Sequence, residues 1–90
     1  MSHSLLGGDP AEMQSMAAQF TQQADQVRAT MAALDREAAK VGTVWTGPGA
    51  QRFRDSWQNY RAAFQRMSEE LNEASRVINT YRGNIESATR

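Results

Sequence analysis

Two long runs of apolar residues in heptad spacing, separated by one stretch rich in glycine and proline, dominate this sequence of 90 residues. In the first run, apolar positions recur alternately three and four residues apart from Met13 to Val41. The second run repeats the same steps from Ala50 to Ala88. Such spacing is typical of helices that bury one stripe against another helix. The pattern therefore predicts an all-α protein built from two long helices.

Local signals place the ends of these helices. Asp9 is a good N-cap and Pro10 suits the first helical position, so we expect helix 1 over about 10–41. Three glycines and one proline within 42–49 predict a turn over 42–48, followed by helix 2 over about 49–88. The whole chain, 1–90, is expected to form one helical-hairpin domain, with 1–8 as a short flexible arm.

A turn this short makes the two helices antiparallel, so the heptad runs face each other. In the simplest register, Leu34 lies opposite Trp57, Phe20 opposite Leu71, and the pairing ends with Met13 opposite Ile78. The residues predicted for the hairpin core are Phe20, Val27, Met31, Leu34, Phe53, Trp57, Tyr60, Phe64, Met67 and Leu71.

Two helices alone bury only one stripe each, which would leave the aromatic rings of the predicted core partly exposed to solvent. A second hairpin would cover them and complete a four-helix bundle. One flank of the seam carries Asp35 and four arginines beside Ser68 and Ser75, and is expected to face solvent. The other flank is less charged, and we predict that the dimer face lies there, with Met16, Thr30, Ala63 and Val77.

Composition argues against several classes of function. The chain has no cysteine and its one histidine is His3, so thiolate metal sites, cysteine nucleophiles and histidine catalysis lack their residues. We therefore predict no enzyme activity, no metal and no cofactor. The formal net charge of zero argues against nucleic acid, and no apolar run approaches the roughly 18 residues of a membrane span. Residues 1–8 lack the features of a cleaved signal peptide.

The turn contains Trp45-Thr46-Gly47, set between two heptad helices in a cysteine-free chain. This arrangement resembles the Trp-x-Gly (WXG) family of early-secreted-antigen-like helical hairpins, exported by type VII (ESX) secretion systems of Gram-positive bacteria and Actinobacteria. The resemblance implies a non-catalytic secreted substrate and dimerisation module. It implies folding and dimerisation in the cytoplasm, then export without a cleaved signal peptide. It also implies that Trp45 and Gly47 form half of the export signal.

The resemblance implies a second half of that signal, a tyrosine followed four residues later by an acid in the partner's tail, which an FtsK/SpoIIIE-type export ATPase engages. Here Tyr81 is followed at that spacing by Ile85, and Glu86 comes one residue late. We read Tyr81 and Glu86 as a degenerate tail motif. The partner is therefore expected to supply the tail, which favours a same-fold sister protein over a second copy of this chain.

Two alternatives stay open at this stage. The chain could be a targeting chaperone that escorts a partner to the secretion machine, or a structural coiled coil unrelated to secretion. Trp45 is also interpreted as a cap over the open end of the hairpin core, a role that is compatible with the export signal. Whether the protein reaches the culture medium separates the first reading from export as a substrate.

Overall fold

The computed structural model describes residues 7–89 and shows two long helices joined by one turn, α1 (Pro10–Ala38) and α2 (Pro48–Thr89). Side-chain bonds across the pair, such as Thr21 to Ser75 and Trp57 to Asp35, show that the helices run antiparallel. The predicted all-α hairpin is therefore confirmed. Of the predicted arm, Gly7 and Gly8 are described, and 1–6 lie outside the described residues.

The start of α1 follows from its first three residues. Asp9 has an extended backbone, and its carboxylate Oδ1 accepts hydrogen bonds from the amides of Ala11 at 3.0 Å and Glu12 at 3.3 Å. Pro10 occupies the first helical position, where no amide hydrogen is needed. Capping of this kind satisfies amides that have no partner within the helix.

The end of α1 was predicted at Val41 but lies three residues earlier, at Ala38. The amides of Lys40 and Val41 bond to carbonyls three residues back, Glu37 and Ala38, so the chain tightens as it leaves the helix. Val41 then pairs with Trp45 in an isolated bridge, and the Gly42 amide donates to the Trp45 carbonyl at 2.7 Å. Pairing within the turn thus replaces the last helical turn.

Small side chains mark the line of closest approach between the helices. Ala17 and Ala24 of α1, and Ser68 and Ser75 of α2, are all at least 94% buried. The Ser75 hydroxyl donates to the Ala17 carbonyl at 2.8 Å. Because its one proton is used there, Ser75 accepts the 2.8 Å bond with Thr21, whose hydroxyl is the donor. The serine flank predicted to face solvent instead forms part of the helix contact.

The predicted hairpin core is consequently wrong at three positions. Leu34, Tyr60 and Met67 are 40%, 55% and 51% exposed, whereas Trp57 is buried. The apolar stripe of α2 is wider than one helix can cover. Because α2 contacts α1 through Ser68 and Ser75, the neighbouring row of the helix, with Tyr60 and Met67, faces outward. The other predicted core residues, all partly buried, are Phe20, Val27, Met31, Phe53, Phe64 and Leu71.

The hairpin is a thin rod of 67 × 16 × 13 Å with a radius of gyration of 20.1 Å. A compact domain of this length would have a radius of about 12 Å. The exposed surface is 6535 Å², against about 5,200 Å² for a compact protein of the same 10.0 kDa mass. The rod therefore exposes about 1,300 Å² more than a compact fold would.

Candidate functional site

The Trp45 side chain lies over the start of α2. Its ring centroid is 5.8 Å from that of Phe53, with the rings inclined by 47°. A Cβ added to Gly49 would lie 3.3 Å from Trp45 Cζ2, so the glycine leaves room for the indole. Trp45 remains 47% exposed. The ring therefore covers Phe53 on one side and presents its other side at the end of the rod.

Gly47 holds the turn in a conformation that other residues avoid. Its φ is +105°, and its carbonyl accepts the first α2 bond from the Gln51 amide at 3.1 Å. A Cβ built on Gly47 would meet nothing within 4 Å. Glycine is therefore required by the backbone angle alone. Trp45 and Gly47 act on one structure, since the glycine directs the chain into α2 and the tryptophan packs against that helix.

A polar cluster joins the helices near the turn. Asp35 accepts a 2.7 Å bond from Trp57 Nε1 on Oδ1 and a 2.7 Å bond from Arg61 Nε on Oδ2. These bonds, first Arg61 and then Trp57, hold the pKa of Asp35 below its ordinary value of 3.8. The sequence placed Asp35 and Arg61 on a solvent flank and missed this cluster. An aspartate six residues before the predicted end of a heptad helix gives no signal of an indole partner.

Large apolar side chains remain uncovered along the opposite edge. Leu34, Tyr60, Ala63 and Met67 line a groove about 410 Å³ in volume, with Trp57 and Phe64 also in its wall. Tyr60, Met67 and Tyr81 are separated by whole heptads, as are Ala63 and Val77, so these rows share one side of α2. We call the exposed set the apolar face, comprising Met16, Leu34, Tyr60, Ala63, Met67, Val77 and Tyr81.

Three of the predicted dimer-face residues lie on this face. Met16 and Val77 are 50% and 43% exposed, and Ala63 is exposed. Thr30 is partly buried. The face also includes Tyr60 and Met67, which the sequence had assigned to the hairpin core.

Tyr81 and Glu86, the predicted degenerate tail motif, have different surroundings. Tyr81 is 60% exposed and lines an apolar groove beside Val77 and Ile85. Glu86 accepts a 3.0 Å bond from Arg82, four residues back on the same helix. Tyr81 therefore has apolar neighbours, whereas Glu86 is engaged with Arg82 on its own helix.

Within residues 7–89, no three histidine, cysteine or acidic side chains are grouped closely enough to hold a metal ion. In that same range, neither helix is apolar enough over its length to cross a membrane.

The turn with Trp45 and Gly47 between two antiparallel helices agrees with a comparison to protein families. The family model described as WXG100, proteins of 100 residues with WXG, matches residues 7–88. The chain belongs to the WXG100 family. This membership implies a small secreted protein associated with type VII secretion, in a family that is generally non-catalytic and whose members often act as dimers. No curated protein and no solved structure matches this WXG100 chain.

Proposed function

We propose that this WXG100 protein is a secreted substrate and dimerisation module of a bacterial type VII (ESX) secretion system. It folds in the cytoplasm, is exported as a folded dimer without a cleaved signal peptide, and catalyses no reaction. The observation that carries the proposal is the apolar face, a set of mostly large side chains on one side of the rod that the hairpin itself leaves exposed.

The size of the exposed surface supports a dimer. The rod exposes about 1,300 Å² more than a compact protein of its mass, and a stable interface buries about 800 Å² on each partner. Packing a second hairpin against the apolar face would bury the groove formed by Leu34, Tyr60 and Met67. The result is a four-helix bundle in which each hairpin contributes two helices around a shared core.

The partner is proposed to be a sister protein of the same fold. Tyr81 has Ile85 at the spacing where the family's tail motif has an acid, and Glu86 is paired with Arg82. This chain would therefore contribute the turn with Trp45 and Gly47, while the sister contributes the tail. An FtsK/SpoIIIE-type export ATPase would then engage the dimer through the sister's tail.

Secretion assays test the proposal. In a bacterium with the secretion system, the wild-type protein should appear in the culture medium and remain in cells that lack the export ATPase. Trp45→Ala should reduce secretion, because it removes the exposed ring at the end of the rod. Val44→Ala is the matched control, since Val44 lies in the same turn and is 78% exposed.

Each outcome separates the candidate functions. If the wild-type protein stays in the cell while its sister is exported, the chain is a targeting chaperone. If its distribution is independent of the ATPase, the proposal of export is wrong. If Trp45→Ala and Val44→Ala are secreted equally well, Trp45 is a structural cap alone. Circular dichroism of each variant establishes that the hairpin has folded.

A further inference from the structure

A single charged side chain lies in the middle of the apolar face. Glu70 is seven residues from Ala63 and seven from Val77, so it belongs to the same row of α2. Along the helix it comes ten residues after Tyr60 and eleven before Tyr81, the two ends of the face on α2. With a rise of about 1.5 Å per residue, each tyrosine is about 16 Å away along the axis. Glu70 is exposed and stands at the midpoint of this face.

The charge of Glu70 is not compensated within the hairpin. In the part of the chain that the structure describes, its carboxylate has no hydrogen bond and no ion pair. Arg66, four residues earlier on α2, has the spacing of a helical ion pair, but the two side chains are not bonded. Glu37, an exposed acid of α1, is by contrast bonded to Lys40 at 2.9 Å. Glu70 therefore keeps its carboxylate available for a group outside the hairpin.

A second copy of this chain would bring two Glu70 carboxylates together. Two identical hairpins pair through the same patch about a twofold axis. If the axis is perpendicular to the rod, the copies are antiparallel, and full overlap of the faces sets Tyr60 against Tyr81 and Glu70 against Glu70. If the axis runs along the rod, every residue lies level with its own copy, and Glu70 again approaches Glu70. Either arrangement buries two like charges in one interface, which is costly.

Sliding the antiparallel copies removes this conflict only with a loss of contact. A shift of one heptad, about 10 Å, moves one Glu70 away from the other. The same shift takes seven of the 21 residues between Tyr60 and Tyr81 out of overlap. Each carboxylate would then lie near Ala63 or Val77 of the other copy, buried without a partner.

We propose that Glu70 selects the partner of the apolar face, disfavouring a second copy of this chain and pairing with a lysine or arginine at the midpoint of a sister hairpin's own face. This role of Glu70 depends on the proposed dimer and adds the chemistry of the partner to it. Apolar contact with Tyr60 and Met67 would be available to any hairpin. An ion pair at Glu70 discriminates, because a hairpin with an acid or an apolar residue at that place leaves the carboxylate buried without a counter-charge.

Exchange of the charge at position 70 tests this role with the purified chain. Because a twofold pairing brings position 70 against itself, Glu70→Lys stands in for a sister hairpin with a cation at the midpoint. An equimolar mixture of wild type and Glu70→Lys should dimerise with a Kd at least about tenfold lower than that of either chain alone. Sedimentation equilibrium over a concentration series measures the three constants, with a dye on the amino terminus of one chain to mark the mixed species.

Glu69→Lys is the matched control. Glu69 is exposed and the substitution changes the net charge equally, but the residue lies about 100° away round α2. Its mixture with the wild type should dimerise no more tightly than the wild type alone. Glu70→Leu removes the charge without adding another, so self-association should tighten at least about fivefold.

The salt dependence gives an independent readout of the charge. Raising NaCl from about 0.05 M to about 0.5 M should weaken the mixed dimer of wild type and Glu70→Lys, because screening reduces the attraction. The same change should strengthen self-association of the wild type, because screening reduces the repulsion. Position 70 is exposed in the hairpin, so each variant should keep the helix content of the wild type by circular dichroism.

A mixture with Glu70→Lys that dimerises no more tightly than the separate chains would overturn the role of Glu70, as would an equal gain with Glu69→Lys. Failure of this role is distinct from failure of the proposed dimer. If Ala63→Arg still lowers the mass of the wild-type dimer, the apolar face remains the interface and only the selection by Glu70 is wrong. If no mixture dimerises and Ala63→Arg changes nothing, the dimer on this face is wrong as well.

Discussion

The indole Nε1 of Trp57 donates a 2.7 Å hydrogen bond to Asp35 across the hairpin. Arg61 donates to the other oxygen of the same carboxylate at 2.7 Å, so both oxygens of Asp35 are used. Because the Trp57 ring is buried, sliding one helix along the other would break this hydrogen bond and leave the indole nitrogen without its partner. The pair therefore fixes the register of the helices near the turn, as the bond from Ser75 to Ala17 fixes it near the other end.

Asp35 makes the stability of the hairpin depend on pH in acid. Its pKa is lower in the folded chain than in the unfolded chain, so the folded state binds fewer protons and the free energy of unfolding falls as pH drops through that range. Asp35→Asn keeps an oxygen for Trp57 but removes the charge that titrates. We expect the wild type to lose more stability than the variant between about pH 5 and about pH 2.5.

Urea unfolding followed by circular dichroism at the two pH values measures this difference. Asp55→Asn serves as the control, because Asp55 bonds to a neutral glutamine on its own helix, Gln51, and not across the hairpin. An identical acid dependence in wild type and Asp35→Asn would show that the bonds to Trp57 and Arg61 do not hold the carboxylate ionised in solution.

Two glycines with open space around them should respond in opposite ways to alanine. Gly47 has φ of +105°, so Gly47→Ala should destabilise the hairpin by about 1–3 kcal/mol through backbone strain. Gly83 lies inside α2, where alanine is the better helix former, so Gly83→Ala should stabilise it by up to about 1 kcal/mol. An added Cβ meets nothing within 4 Å at either position. Thermal melts of both variants decide the point, and a neutral Gly47→Ala would contradict it.

Ser75 should be intolerant of both removal and enlargement. Ser75→Ala loses the bonds to Ala17 and Thr21, which should cost about 1 kcal/mol beyond the effect of Ser87→Ala at an exposed position of the same helix. Ser75→Val should cost about 1–3 kcal/mol more than Ser75→Ala, because valine carries two further methyl groups at the point where the helices meet. Urea unfolding at one protein concentration measures all three variants. If Ser75→Val were as stable as Ser75→Ala, the close approach of the helices would be wrong.

The apolar face predicts a dimer that one charge can dissociate. Ala63→Arg places a cation in the groove beside Tyr60 and Met67, so a partner hairpin would have to bury it. Light scattering should then show the monomer mass with the helix content unchanged. Ala62→Arg is the matched control, since Ala62 is exposed but lies about 100° further round α2. An unchanged dimer mass in Ala63→Arg would place the interface elsewhere.

Much of the hairpin was readable from the sequence because its signals are local. Asp9 and Pro10 mark the start of α1 through their own backbone chemistry, and the glycines of the turn mark the break. The heptad steps give two helices and, since the turn is short, their antiparallel direction. These inferences do not depend on which of two neighbouring rows of side chains on a helix faces the other helix.

Which side of α2 packs against α1 could not be predicted from the sequence in the same way. The row with Tyr60 and Met67 is the more apolar, yet the row with Ser68 and Ser75 faces α1. Hydrophobicity favours the first row, whereas close packing against Ala17 and Ala24 favours the second. The recurrence of small residues seven apart on both helices was the available signal, and it counts only once the two helices are placed together.

Two sides of the same rod have different roles: the side with Ser68 and Ser75 joins the two helices, and the apolar face is available for binding. Hydrogen bonds and small residues on the first side hold the two helices in register, so the side chains of the apolar face are not needed to keep the helices together. Substitutions among Met16, Ala63, Val77 and their neighbours can therefore change what the rod binds without loosening the rod. A hairpin built in this way can diverge into pairs of distinct specificity while its own fold stays constant.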